Sequence, residues 1–121
     1  LPVEEGYDDV LDNRTILDRY LANARALGRD PRPEHETAIV GSTDMGNVSY
    51  LVPAIHPMVK AAPEETAIHT EDFATCAGGP SGDEAVLAGA KAMAMTLVDC
   101  WTLPGLLESA AAELAAATAT P

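Results

Sequence analysis

Apolar positions recur at helical spacing in two parts of the chain and at short, irregular intervals between them. From Asn13 onward, Ile16, Tyr20, Ala24 and Leu27 repeat with the period of an α-helix, and Leu17 and Leu21 lie beside them. Asn13 suits the N-cap and Gly28 the C-terminal stop. The stretch Arg29–His35 reads as a linker, because Pro31 and Pro33 forbid regular structure. Between Glu36 and Lys60, short β-branched runs alternate with glycine and proline. This texture predicts a short strand at Ala38–Val40, a turn-rich functional loop at Gly41–Ser49 and a second strand at Ala54–Val59. Pro53 and Pro57 push that second strand toward a sheet edge. From Asp83 the pattern is helical again. Val86, Leu87, Ala90, Met93, Ala94, Leu97, Val98 and Trp101 form one broad apolar face. Leu103-Pro104 interrupts it, and a last alanine-rich helix is expected over Gly105–Ala117.

Composition changes this picture in one respect. Hydrophobic residues make up 47% of the 121, which excludes a disordered chain, but aromatics are only 4%. Much of the apolar content is alanine, which buries little area, so a core built from it is thin unless another surface completes it. A first residue of Leu1 rather than methionine adds to the expectation of a piece of a longer protein. The net charge of −12 leaves no basic footprint for nucleic acid or an anionic membrane. No apolar run approaches the roughly 18 residues of a membrane span, and the N-terminus lacks a basic-then-apolar signal. A soluble, cytoplasmic protein is expected. Cys76 and Cys100 carry neither a CxxC motif nor a histidine pairing, and read as buried free thiols in helices.

Three features bear on chemistry. In Gly41-Ser-Thr-Asp-Met-Gly-Asn-Val-Ser49, glycines bracket a cluster of hydroxyl, carboxylate and amide side chains. Such a loop can bring its backbone close to a ligand, or simply satisfy its own turns through Asp44 and Asn47. It is not a phosphate loop, because the lysine and the GxxxxGK spacing are missing. His69 follows a short extended segment and precedes Thr70, Glu71 and Asp72. It suits a metal ligand with a carboxylate behind it, and equally a surface histidine near a helix cap. His56, between Pro53 and Pro57, reads as an exposed edge residue, and His35 carries no signal. No serine has a GxSxG context, and no cysteine stands beside a histidine as a nucleophile would require.

The segment GSTDMGNVSYLVPAIHP, the later His-Thr and the long AlaLysAlaMet helix together resemble the C-terminal part of a known enzyme family. It is the zinc-dependent aminoacylase/glutamate-carboxypeptidase family of amidohydrolases, in the branch with p-aminobenzoyl-glutamate hydrolases and peptidase-domain dipeptidases. The resemblance implies an α/β fold: the helix-rich C-terminal part of a mixed-sheet catalytic domain, preceded by the last helix of an inserted lid. Residues 1–28 would end the lid (dimerisation) domain, 29–35 would link, and 36–121 would belong to the catalytic domain. It implies two zinc ions, with cobalt or manganese as substitutes of similar ligand preference. His69 would be the one late metal ligand, while Ser42, Thr43, Asp44 and Asn47 would line the pocket for a small amide or dipeptide.

In that family a metal-activated water attacks the amide carbonyl while a glutamate takes its proton. The glutamate, the bridging aspartate and the other ligands have no counterpart here, and Asp8, Asp9 and Asp12 fall in lid-like sequence. The resemblance therefore implies no catalytic residue within the chain and no activity alone. It also implies dependence on a missing N-terminal part, and a homo-oligomer. The competing expectation is a non-catalytic truncated helical module that oligomerises, or binds a protein, through its Met/Leu face.

Overall fold

The computed structural model describes residues 6–32 and 43–119. These form helices α1 (Arg14–Ala26), α2 (Met45–Ser49), α3 (Glu71–Ala77), α4 (Pro80–Thr102) and α5 (Leu106–Thr118). Helix α1 lies against α4 and α5, and α3 against α4.

Helix α1 starts where its cap predicts. The Asn13 side chain accepts from the Ile16 N–H at 3.2 Å, while its Nδ2 donates to the Ala110 carbonyl at 2.9 Å. One buried amide thus caps α1 and ties it to α5. The Glu113 carboxylate, reaching over from α5, accepts from the Arg14 N–H (2.6 Å), the Thr15 N–H (3.0 Å) and the Thr15 hydroxyl (2.7 Å). An acid at the positive end of a helix satisfies donors that the first turn leaves open. At the other end, Gly28 takes φ +77°, a conformation glycine adopts without strain. Leu17, Tyr20 and Ala24 are buried, and Leu21, Leu27 and Ile55 pack around the Tyr20–Ala24–Ala92 cluster.

Helix α4 packs through the face opposite the one its hydrophobicity predicts. Its buried positions are Gly82, Ala85, Gly89, Ala92 and Thr96, all small. The expected apolar face is turned outward: Val86 is 71% exposed, Met93 59%, Leu97 50% and Trp101 73%. Small residues let backbones approach closely. A Cβ at Gly89 would stand 3.3 Å from the Val59 side chain, and one at Gly82 only 1.9 Å from the Ala77 carbonyl oxygen. Each such contact transfers under about 1 kcal/mol of apolar surface, whereas burying a Leu, Val or Met contributes about 1.5–3 kcal/mol. The larger gain is left unused within these residues. Cys76 and Cys100 are free, as expected, but half-buried rather than buried.

The polar side of the α1–α4 contact is fully paired. Asn23 donates to the Thr96 hydroxyl (3.1 Å) and to Asp99 (2.9 Å), and Arg19 donates to the same Asp99 oxygen from Nε (3.2 Å) and Nη2 (3.0 Å). Hydrogen bonds from Asn23 and Arg19 hold the Asp99 carboxyl below its ordinary range, outweighing its partial desolvation. At Glu113 burial pushes upward, and the bonds from Thr15 and Arg14 more than offset it. Both folded-state values lie below the unfolded ones. Their stabilisation is therefore complete above the ordinary carboxylate range and is lost as pH falls through the folded values. Urea midpoints should stay level from about pH 7 to about pH 5 and fall below that. Asp99→Asn should start lower at neutral pH and fall less steeply in acid. An equal acid slope in both proteins would exclude Asp99 as a source.

The expected α/β fold with a mixed sheet is not what these residues form: among those described, no strand occurs. The predicted strand Ala38–Val40 lies outside the described residues. Ala54–Val59 has no helix or ladder, and its backbone groups go elsewhere. The Ala54 carbonyl accepts from the Asn13 N–H at 2.9 Å, and the His56 N–H donates to Asp12 at 3.3 Å. Bonded to a helix cap and a carboxylate, the segment forms no backbone ladder with any other described residue. The final two helices occur as expected, α4 beginning at Pro80 rather than Asp83 and α5 running one residue later at each end. No single described helix is long and apolar enough to cross a membrane.

Candidate functional site

Within the predicted functional loop Gly41–Ser49, residues 45–49 are helical rather than turns. Ser42 lies outside the described residues. The Thr43 hydroxyl accepts from the Met45 N–H at 3.3 Å, so it supports the start of α2. Asp44 occupies the N-cap position with its side chain exposed and making no capping bond. Asn47 is exposed and donates to Asp8 Oδ2 at 3.1 Å. Three of the four predicted pocket residues thus lie close together, Asn47 on α2 and Thr43 and Asp44 just ahead of it.

That element is held in place by residues the sequence pattern does not single out. Ser49 is completely buried; its hydroxyl donates to the Gly46 carbonyl at 2.6 Å and accepts from the Leu11 N–H at 2.9 Å. Gly46 lies against the Asp8 backbone so closely that a Cβ would stand 1.8 Å from the Asp8 carbonyl oxygen. The Tyr50 hydroxyl donates to Asp9 Oδ1 at 2.9 Å. The Asp9 acceptor and the negative charge around it raise the Tyr50 hydroxyl above its ordinary value. Asp8 and Asp9, which the family resemblance would assign to the lid, therefore border the loop. These pairings span about 40 residues of sequence and leave no local signal beyond Gly46 itself.

His69 stands immediately before Thr70, whose hydroxyl accepts from the Phe73 N–H at 3.2 Å and caps α3. Its side chain is exposed, and its backbone takes φ +64°, the one positive-φ non-glycine residue among those described. Histidine enters this region more readily than most residues, but the conformation still costs about 1 kcal/mol or more. A single imidazole offers one donor of the right chemistry for zinc. Among the described residues, no group of three or more His, Cys, Asp or Glu is placed to hold a metal. The donors here therefore do not make up a metal site by themselves. His56 is exposed, as expected, though on no strand; His35 lies outside the described residues.

The cavities do not join these parts. A space of about 30 Å³ beside Leu11, Asn13, Ser49 and Glu113 has room for water only. A groove of about 320 Å³, bordered by Asn23, Met95, Val98 and Asp99, has neither His69 nor the loop in its walls.

No protein-family model matches the chain, and no solved structure matches it. It is homologous to two curated proteins named Xaa-Arg dipeptidase. The Mus musculus protein is 38% identical over 104 residues, covering 84% of this chain and 24% of that protein. The Homo sapiens protein is 39% identical over 105 residues, with the same two coverages. The chain thus spans about a quarter of the length of the curated relatives it matches.

Proposed function

We propose that this chain is one portion of a metal-dependent amidohydrolase or peptidase that cleaves a dipeptide or a related amide. It is inactive without the remainder of such an enzyme. The observation that carries this reading is the similarity to two dipeptidases along 84% of the chain, at 38–39% identity. In this reading His69 donates one imidazole to a metal whose other ligands lie outside the described residues. Zinc is the first choice, with cobalt or manganese as substitutes. Bound there, the metal would polarise the scissile carbonyl and activate water. The branch of dipeptidases acting on unusual dipeptides is the finer assignment. Substrates with a basic residue suit it, because the net charge of −12 favours a cation's approach.

Ser42, Thr43, Asp44 and Asn47 border the substrate. Asp44 makes no capping bond and keeps its exposed carboxylate beside the Thr43 hydroxyl, which donates to it at 3.5 Å, and Asn47 donates to Asp8. The test is a hybrid in which this chain replaces the matched stretch of the Homo sapiens relative. The folded hybrid should hydrolyse an Xaa-Arg dipeptide in the presence of zinc, and the 121-residue chain alone should not. A folded, zinc-supplied hybrid without activity, or an equally active isolated chain, would overturn the proposal.

A further inference from the structure

We infer that Asp8 is a positioning residue of the substrate pocket: it turns the Asn47 amide so that its carbonyl oxygen meets an N–H donor of the substrate. This rests on the reading of the loop as the border of a dipeptide site. The Asn47 Nδ2 donates to Asp8 Oδ2 at 3.1 Å. An ionised carboxylate can only accept, so the nitrogen edge of the amide faces Asp8 and its oxygen is left on the other edge. A solvated asparagine presents either edge; this one presents an acceptor. The groups of a basic dipeptide that match an acceptor of this kind are its terminal ammonium and its guanidinium.

Both side chains are exposed, and a hydrogen bond in contact with water contributes little by itself. Here the backbone has already brought the pair together. Helix α2 has five residues, too few to hold its place alone. Its position comes from the segment ahead of α1. Gly46 lies against the Asp8 carbonyl, the buried Ser49 hydroxyl accepts from the Leu11 N–H at 2.9 Å, and the Tyr50 hydroxyl donates to Asp9. Asp8 and Asn47 therefore meet at little further cost in chain entropy. The two roles of Asp8 are separable. Its backbone supports Gly46 whatever side chain it carries, and its carboxylate turns Asn47.

A double-mutant cycle in the hybrid with the Homo sapiens relative tests this on an Xaa-Arg dipeptide. Asp8→Ala should raise KM about five-fold at unchanged kcat, the size of one net hydrogen bond to bound substrate. Asp8→Asn, which keeps an acceptor, should recover part of the loss. In the Asn47→Ala background, Asp8→Ala should raise KM no further. An equal rise in both backgrounds would mean that Asp8 acts by its charge alone and would overturn the inference, as would no rise in either. An Xaa-norleucine dipeptide, used as a competitive inhibitor, lacks the guanidinium. Inhibition insensitive to Asp8→Ala assigns the guanidinium as the donor; inhibition weakened by it assigns the ammonium.

Nuclear magnetic resonance of the isolated chain needs no activity. The two side-chain amide protons of Asn47 should be well separated, and Asp8→Ala should move them to the positions of a solvated asparagine while the urea midpoint stays unchanged. Solvated positions in the unaltered chain would refute the positioning role. Dipeptide hydrolysis separates the two proposals. A fixed amide in an inactive hybrid keeps the orientation of Asn47 and removes the function; a solvated amide in an active hybrid does the reverse.

Discussion

Gly46→Ala is expected to destabilise the chain by about 3 kcal/mol, the upper part of the range for overpacking. The added methyl would stand 1.8 Å from the Asp8 carbonyl oxygen, 2.6 Å from the Asp8 carbonyl carbon and 3.3 Å from the Asp9 carbonyl oxygen. All three are backbone atoms, so no side chain can swing aside. Residues 8–11 would have to move, breaking the Asn47–Asp8, Tyr50–Asp9 and Leu11–Ser49 hydrogen bonds together. Gly6→Ala is the control: its Cβ would meet nothing within 4 Å, and a change within about 0.5 kcal/mol is expected. Urea denaturation of the two variants decides the matter. Equal stabilities would mean that residues 8–11 do not rest on α2.

The second large effect concerns His69 and separates function from fold. In the hybrid, His69→Ala should lower dipeptide hydrolysis by at least about 10³-fold, the several kcal/mol a metal contributes to such a transition state. His69→Gly should be equally inactive. In the isolated chain, however, His69→Gly should change stability by no more than about 1 kcal/mol, because release of the φ +64° strain offsets glycine's greater freedom when unfolded. Full activity in the glycine variant would remove the ligand role.

Helix α1 is legible in the sequence because everything that defines it is local: the Asn13 cap, the periodic Leu17, Tyr20 and Ala24, and the Gly28 stop. Helices α4 and α5 are legible for the same reason. The packing face of α4 is not. Hydrophobicity ranks faces by the size of their apolar side chains, and that ranking selects Met93, Leu97 and Trp101. The contacts with α1, with Val59 and with the Ala77 backbone instead use Ala92, Gly89 and Gly82, where smallness rather than hydrophobicity is what fits. The sheet expectation fails because it comes with a resemblance to a longer protein. Ala54–Val59 has an extended composition but bonds to Asn13 and Asp12. At the loop, Asn47 lies on α2, and Thr43 and Asp44 lead into it. The anchoring by Asp8, Asp9 and buried Ser49 cannot be read from the sequence, since it depends on segments about 40 residues apart meeting in space. His69 is marked by its neighbours Thr70, Glu71 and Asp72, and its unusual backbone comes from the structure alone.

The central claim is that this chain is a working part of a larger metal-dependent hydrolase, to which it supplies one metal-binding imidazole. Native mass spectrometry of the zinc-loaded hybrid, with His69 and with His69→Ala, tests it most directly. Two zinc ions should be bound per hybrid chain when His69 is present, and fewer when it is alanine, with the folded charge-state distribution unchanged. The same zinc count in both proteins would contradict the account.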